Sequence, residues 1–457
     1  MKFTLRSFNR VLAVGILAAS CFVCQAEPPL AAKVICEETV TVWLPPENGA
    51  GPLWCYGSPL LFRDGEDVYA SVSETGADVP PLSNTRWALY RRTRDGWKAV
   101  QSDASYRQRE PSPLGGFPGS GLLLTTNPSN QPPGTKYGTC DPELLVFTLP
   151  VDSARPEVER PAWPGTPYFT DHSYRGFAVD SARKEALWLN IDAHTSAQNW
   201  SFRNAEGQWS RNGGIAFPVR SCYQQVALQN GSAHVLAIGD IVEPIDEWRT
   251  FKHDLTGRDW DYVFRRLFYT CTPDIARQDF IPPVEIDSVD STAGHIANLD
   301  LWIGRDGTAH ILYLRNTVHT QELRDRFFPG LPILRTLEYT ALKDGKITRR
   351  ETLLAGGEIP SGTDVLYGRF HSTPDGRLWA VYSAQVIGTT GTRFYLMPVS
   401  PDLQRSNKVV FDLKEPLGTF FTATERGGSP PSWTLDLFGN HPKPQTLGYA
   451  QVQLAPR

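Results

Sequence analysis

The strongest constraint on this chain is a strand-turn-strand unit that recurs with an Asx-Gly pair at its turn. "GSPLLFRDGEDVYASVSE" turns at Asp64-Gly65, "YQQVALQNGSAHVLAIGD" at Asn230-Gly231, "TAGHIANLDLWIGRDGTAHILYLRN" at Asp306-Gly307 and "YGRFHSTPDGRLWAVYSA" at Asp375-Gly376. Asx-Gly between two apolar-rich runs marks a tight hairpin, because both residues tolerate the positive φ such turns require. Two units share the start of their second strand, "GSAHVL" at 231–236 and "GTAHIL" at 307–312. Helical periodicity is nearly absent, and the best helical stretch, "TVHTQELRDRFF" at 317–328, lies inside a connection. With 38 Gly, 37 Pro and 13 Trp, the composition fits short strands and many turns.

Small self-similar hairpins recurring at roughly 70-residue spacing need neighbours to cover both faces of each sheet, which points to radial repetition. A Gly-less unit, "YRGFAVDSARKEALWLNIDA", and a degenerate one, "GSGLLLTTNPSNQPPGTKYGTCDPELLVFTLP", extend the series. The stretch "GTFFTATERGGSPPSWTLDLFGNHPKPQTLGYAQVQL" supplies a last unit, and "ETVTVWLP" at 38–45 is expected to give it a fourth strand and close the ring. The expected fold is all-β: a seven-bladed β-propeller filling residues 27–457 as one domain, with six blades plus an insertion as the alternative.

Residues 1–26 stand apart. A basic lead, "MKFTLRSFNR", precedes the apolar run "VLAVGILAASCFVC", which reads as a secretory signal cleaved after Ala26. The mature chain is expected to be secreted or periplasmic, with lipid anchoring through Cys21 as the alternative. No other apolar stretch approaches the roughly 20 residues of a membrane helix. Five cysteines follow the signal, Cys36, Cys55, Cys140, Cys222 and Cys271, too few for a disulfide scaffold and without zinc-ligand spacing. A formal net charge of -4 and no basic stripe argue against nucleic acid. No cofactor or metal is expected, and the protein is expected to be a monomer.

Counting back seven and nine residues from each hairpin glycine compares the blades. It gives Asp300 and Asn298, Gln224 and Cys222, Arg369 and Tyr367, and Ser58 and Tyr56. These are the starts of first strands, mostly polar before an apolar run. In a propeller the first strands line the axis, so polar groups from several blades are expected to converge at the face where the loops after second strands also gather. The Gly-less unit adds His172, Tyr174 and Arg175 there, and the loops add Arg86, Trp200 and Trp248. The longest loop, "GDIVEPIDEWRTFKHDLTGRDWDYVFRR", also holds Asp240, Glu243, Glu247 and Arg249. Trp and Tyr among Arg, Asp and His suit sugar rings, which present apolar faces with hydroxyl edges. A poly- or oligosaccharide is therefore the expected partner.

The blade pattern of apolar strand, Asx-Gly and then an "AHIL" or "LWAVY" strand resembles secreted bacterial propellers of the sialidase-like, BNR-repeat type, including polysaccharide lyases. The resemblance runs along most of the chain. It does not extend to the sialidase S-x-D-x-G-x-x-W box or F-R-I-P motif, which are absent. A lyase of this kind implies a base for the C5 proton of a uronate, an acid for the leaving oxygen and a cation for the carboxylate. His172 or His295 is the candidate base, and Tyr174 or Tyr223 the acid. Arg175, Arg220 or Arg369 is the carboxylate clamp, with Arg86, Trp200, Trp248, Asn298 and His371 as further substrate-binding residues. The alternatives are a glycan- or protein-binding propeller and a glycoside hydrolase using Asp240 with Glu243 or Asp300. His234 and His310, mid-strand in the repeat, are expected to be structural, and Asp300 to accept hydrogen bonds between blades.

Overall fold

Seven four-stranded antiparallel sheets follow one another in the computed structural model, which describes residues 30–54, 57–151, 154–259, 261–359, 362–389 and 391–456. The leader, with Cys21 and Cys24, and the residues Cys55 and Tyr56 lie outside the described residues. Blade 1 comprises Leu61–Asp64, Asp67–Thr75, Thr85–Thr93 and Gly96–Ser102. Blade 2 comprises Leu114–Phe117, Gly121–Thr126, Glu143–Thr148 and Glu157–Glu159, and blade 3 Arg175–Asp180, Glu185–Ile191, Gln198–Arg203 and Trp209–Ile215. Blade 4 is Ser221–Gln229, Ser232–Gly239, Arg266–Thr272 and Val284–Ser288; blade 5 is His295–Ile303, Ala309–Asn316, Leu334–Lys343 and Lys346–Gly357. Blade 6 is Thr363–Ser372, Leu378–Val386, Thr392–Ser400 and Val409–Phe411.

Blade 7 takes Phe420–Thr422, Thr434–Asn440 and Thr446–Pro456, and its outer strand is Leu30–Val42, paired from Leu30 opposite Pro456 to Val42 opposite Thr446. The N-terminal strand closes the ring, but it runs Leu30–Val42 and shares only residues 38–42 with the expected stretch 38–45; the fold is a seven-bladed β-propeller.

Burial falls from the axis outward, and the sequence follows it. Arg175–Asp180 and Glu185–Ile191 are buried throughout, whereas the outer strand Lys346–Gly357 mostly alternates between partly buried and exposed residues. The core lies between blades: Val381 and Phe394 of blade 6 pack with Phe420 and Leu435 of blade 7, and Leu312 and Leu337 of blade 5 with Phe370 and Ala380 of blade 6.

Two expectations need correction. In the degenerate unit the quoted hairpin holds the second and third strands of blade 2, and its first strand is "LGGF" at 114–117. Side chains there would collide with the neighbours, since a Cβ on Gly116 would lie 2.5 Å from the Phe62 ring. Packing between blades is what demands these two adjacent glycines. The long loop of blade 4 also contains a helix that sequence periodicity did not reveal, α1 at Asp246–Thr256. The expected helix in the blade 5 loop forms as α2, Gln321–Phe327, with the Thr320 side chain accepting from Leu323 N at its start.

His234 and His310 are structural: each shares a 2.6 Å hydrogen bond through Nδ1 with the hydroxyl of a third-strand tyrosine, Tyr269 and Tyr339 respectively. The four described cysteines are free thiols. Among the described residues no helix is long and apolar enough to cross a membrane.

The axis is tied by the polar residues at first strands. Inner strands of adjacent blades do not pair, so their backbone groups need side-chain partners. The Asp300 carboxylate accepts from Phe370 N at 2.9 Å, as expected of a bond between blades, and Ser58 donates to Arg175 O at 3.0 Å. The connection 423–433 of blade 7 crosses the axis. Arg426 on it donates to Gly57 O and Val226 O and pairs with Asp300 at 2.7 Å, joining blades 4 and 5 to the segment ahead of blade 1. Gly428 follows with φ +87°, and a Cβ there would fall 1.9 Å from Gly116 O. The propeller therefore has two separate faces: a connection face, bearing first-strand starts and the loops after second strands, and a hairpin face, bearing the Asx-Gly turns.

Candidate functional site

On the connection face, blades 2 to 4 bring a polar rim together. His172, with 25% of its side chain exposed, places Nδ1 3.1 Å from Oδ2 of Asp171, whose carboxylate is 1% exposed. The pair is within ion-pair range but not aligned as a hydrogen bond, and neither Asp171 oxygen has a hydrogen-bond partner among the described residues. Tyr137, from the blade 2 loop, lies over the His172 ring at 4.7 Å. Arg220, at the entry to blade 4, has its guanidinium 5.7 Å from the rings of both Tyr174 and Tyr262 and is ion-paired with Asp240.

Beneath this rim Arg109 pairs with Glu110 and hydrogen-bonds Tyr174, which in turn hydrogen-bonds Tyr223. Burial drives the chemistry of these groups. It raises both phenols well above the usual tyrosine range, so Tyr174 and Tyr223 stay protonated. Burial also pushes the Glu110 carboxyl up to about 7, against the pull of Arg109 and Arg175. Cys222 is fully buried and its thiol strongly raised by that burial, which leaves no thiolate for nucleophilic attack.

Tyr223 joins the rim to a cavity of about 300 Å3 lined also by Trp54, Phe264, His295, Asn298 and Tyr367. Its backbone has φ +52°, in the left-handed region, at a register shift between Cys222 and Gln225. A tyrosine there costs about 1–2 kcal/mol, and the neighbours hold it in place. Asn298 Nδ2 donates to Tyr223 O at 2.8 Å, and Gly57 lets the same carbonyl approach where a Cβ would stand 2.5 Å away. Register shifts also interrupt the first strands of blades 5 and 6, at Asn298/Asp300 and Val365/Tyr367. Bulges of this kind re-aim side chains beside active sites.

His295 stacks on His319 at 4.8 Å, and burial, reinforced by His319, pushes it down to about 3, so it is neutral. Beyond it α1 and α2 lean on each other through Trp248 with Phe327 and Phe328, at 6.2 and 5.6 Å.

The sequence-derived candidates divide. His172, Tyr174, Tyr223, Arg220, His295 and Asn298 gather at this site. Arg175 and Arg369 do not open onto it: Arg175 donates to Glu110 O, Pro111 O and Thr125 O, while Arg369 donates to Phe420 O and Leu299 O and stacks over Phe421 at 4.4 Å. Both spend donors on carbonyls between blades, and Arg369 also donates to the Tyr367 hydroxyl at 2.8 Å. His371 is buried against Ser432 O at 2.8 Å and pushed down to about 4 by burial. Trp200 is 1% exposed in the core between blades 3 and 4, with no face left for a sugar. Trp248 packs between the helices, under Arg265 at 5.1 Å. Arg86 pairs with Glu74 at 2.8 Å over Tyr106, tying down its own loop.

The carboxylates considered for hydrolysis are also engaged. Asp240 holds Arg220, Glu243 holds Arg265 and Lys252, and Asp300 holds Arg426. Sequence reasoning missed Asp171, Arg109, Glu110, Tyr137 and Tyr262. The adjacent Asp171-His172 pair was a signal in plain view, whereas the others arrive from connections without a pattern. Among the described residues no three His, Cys, Asp or Glu side chains cluster as a metal site requires.

No protein-family model matches the sequence, and no curated protein matches it. Solved structures are similar in fold. An ulvan lyase of polysaccharide lyase family PL25, bound to -[GlcA(1-4)Rha3S]-, matches with a TM-score of 0.53 over 91% of this chain and 95% of that one, at 9% identity. The α-L-arabinanase of Penicillium chrysogenum complexed with arabinobiose matches with a TM-score of 0.44 over 92% and 98% at 13% identity. At 9% identity the likeness to the ulvan lyase is one of architecture, and what the chain shares with it is the seven-bladed β-propeller.

Proposed function

We propose that this protein is a secreted polysaccharide lyase that cleaves a uronate-containing glycan on its connection face. The observation that supports the reading is a rim on which His172 stands beside a buried carboxylate and the Arg220 guanidinium lies over Tyr174, whose phenol reaches the cavity through Tyr223. In this reading the sugar ring lies against Trp54, Tyr223 and Tyr367. Arg220 pairs with the uronate carboxylate, lowering the cost of the charge that develops when C5 loses its proton. His172, its Nδ1 turned to Asp171, takes that proton through the other nitrogen. The C5–H electron pair forms the C4–C5 double bond, the C4–O bond breaks, and Tyr174 gives the leaving oxygen its proton. His172 then returns a proton to the tyrosine through water.

A screen of uronate polymers for the absorbance of unsaturated products tests the reading. His172→Ala and Tyr174→Phe are each expected to lower the rate by about 10²–10⁴-fold with the fold intact. Undiminished rates in both variants would falsify the assignment.

One observation favours a second reading, a glycan-binding propeller: Arg220 and Arg109 already have carboxylate partners in Asp240 and Glu110. That protein would retain the polymer and release no unsaturated product.

A further inference from the structure

The hairpin face carries a groove that the connection-face chemistry does not use. Two cavities, about 530 and 450 Å3, adjoin there, and both are larger than the cavity beside Tyr223. One opens between blades 5 and 6, the other at the axial mouth beside blades 3 and 4. They share one ridge, formed by Trp302, Arg305, Glu425 and Pro431. The crossing connection of blade 7 lines both.

The ridge is rigid. The indole N–H of Trp302 donates to the buried Glu425 carboxylate, which also takes a hydrogen bond from Ser372. The Trp302 ring packs on His310 at 5.1 Å, and His310 is itself held by Tyr339. Arg305 stands on the blade 5 hairpin turn, which Asp306 braces by accepting from Thr308 N at 3.0 Å and Thr308 Oγ1 at 2.7 Å.

The acids of the groove are occupied. Asp180 accepts from Ala182 N, Arg183 N and Asn230 N, Asp306 holds its turn, and Glu425 holds Trp302. Arg305 is exposed, and its charge acts on Glu425 without a direct contact between them. A fixed aromatic platform beside an exposed cation, between two lobes, fits consecutive units of a chain molecule with apolar ring faces and anionic groups.

We propose that this groove is a second, non-catalytic binding site for an acidic polysaccharide, with Trp302 as its platform and Arg305 as the group that takes a carboxylate or sulfate. The ligand class rests on the reading of the connection face, and the site itself does not. Bound here, a polymer would hold the protein on its substrate while the other face works.

Affinity electrophoresis of the full-length protein through gels containing alginate, dextran sulfate or dextran tests the proposal, in a His172→Ala background that leaves the polymer uncut. Arg305→Glu is expected to weaken retention about tenfold in alginate or dextran sulfate, with Arg305→Lys recovering part of it and dextran unaffected. The two charged gels separate carboxylate from sulfate recognition. Retention within about twofold of the unmutated protein, or a parallel loss in dextran, overturns the site. Without the background substitution, Arg305→Glu is expected to leave cleavage of short oligosaccharides unchanged. A protein that cuts no uronate polymer and still shows Arg305-dependent retention sinks only the lyase reading.

Discussion

Removing Arg426 tests whether the plugged axis is a source of stability. Arg426 and Asp300 are 4% and 1% exposed and 2.7 Å apart, so their interaction is shielded from water. Breaking a buried pair by deleting one partner costs about 3–5 kcal/mol, because the remaining charge is left uncompensated. Asp300 keeps two backbone donors, Leu301 N and Phe370 N, each at 2.9 Å, which places Arg426→Ala at the lower end of that range. The carbonyls of Gly57 and Val226 lose a donor as well. The expected cost is about 3 kcal/mol, read as a lowered guanidinium midpoint at unchanged m-value. Asp300→Asn should cost a similar amount, and the double variant less than the sum, with a coupling of about 2 kcal/mol. A loss below about 1 kcal/mol for Arg426→Ala, or full additivity with Asp300→Asn, would refute the claim that the two residues act as one unit on the axis.

Two further outcomes bear on the connection face. Asp171→Asn should lower kcat on a uronate polymer on the order of 10²-fold with KM little changed, because the carboxylate charge 3.1 Å from His172 Nδ1 is lost; a change in KM alone would remove Asp171 from the chemistry. Glu110 is raised from 4.5 to about 7, so the folded protein holds a proton that the unfolded chain releases. Stability should therefore fall by about 3 kcal/mol as pH rises from about 4.5 to 7, and Glu110→Gln should lack that slope in urea unfolding at pH 5 and pH 8; parallel slopes would exclude the effect.

The propeller was readable because tight hairpins demand positive φ, and Gly65, Gly231, Gly307 and Gly376 all have it, at +60°, +80°, +78° and +83°. Where contact between blades replaced turn chemistry, as at Gly115 and Gly116, no turn signal marked the strand and it went unread. At the site, strand starts could be located but not the direction in which a side chain spends its hydrogen bonds. Arg175 and Arg369 looked like clamps because they are arginines near the axis. The decisive fact is that unpaired carbonyls of neighbouring inner strands lie within reach, which is a property of the closed ring. Tyr223 was found for its type, yet its left-handed bulge depends on Asn298, 75 residues away.

The outer strand of blade 7 has a consequence for how the molecule is made. Leu30 meets Pro456, so the first described strand can pair only once the final hairpin is present. Until then it is an unpaired edge carrying exposed Ile35 and Val42. Every other blade can form from contiguous chain, but the circle becomes mechanically complete only when this longest-range contact is made. Assembly is thus self-checking: a chain truncated in its final hairpin leaves both ends of the ring open, and the defect is exposed at an edge where proteases and chaperones can read it.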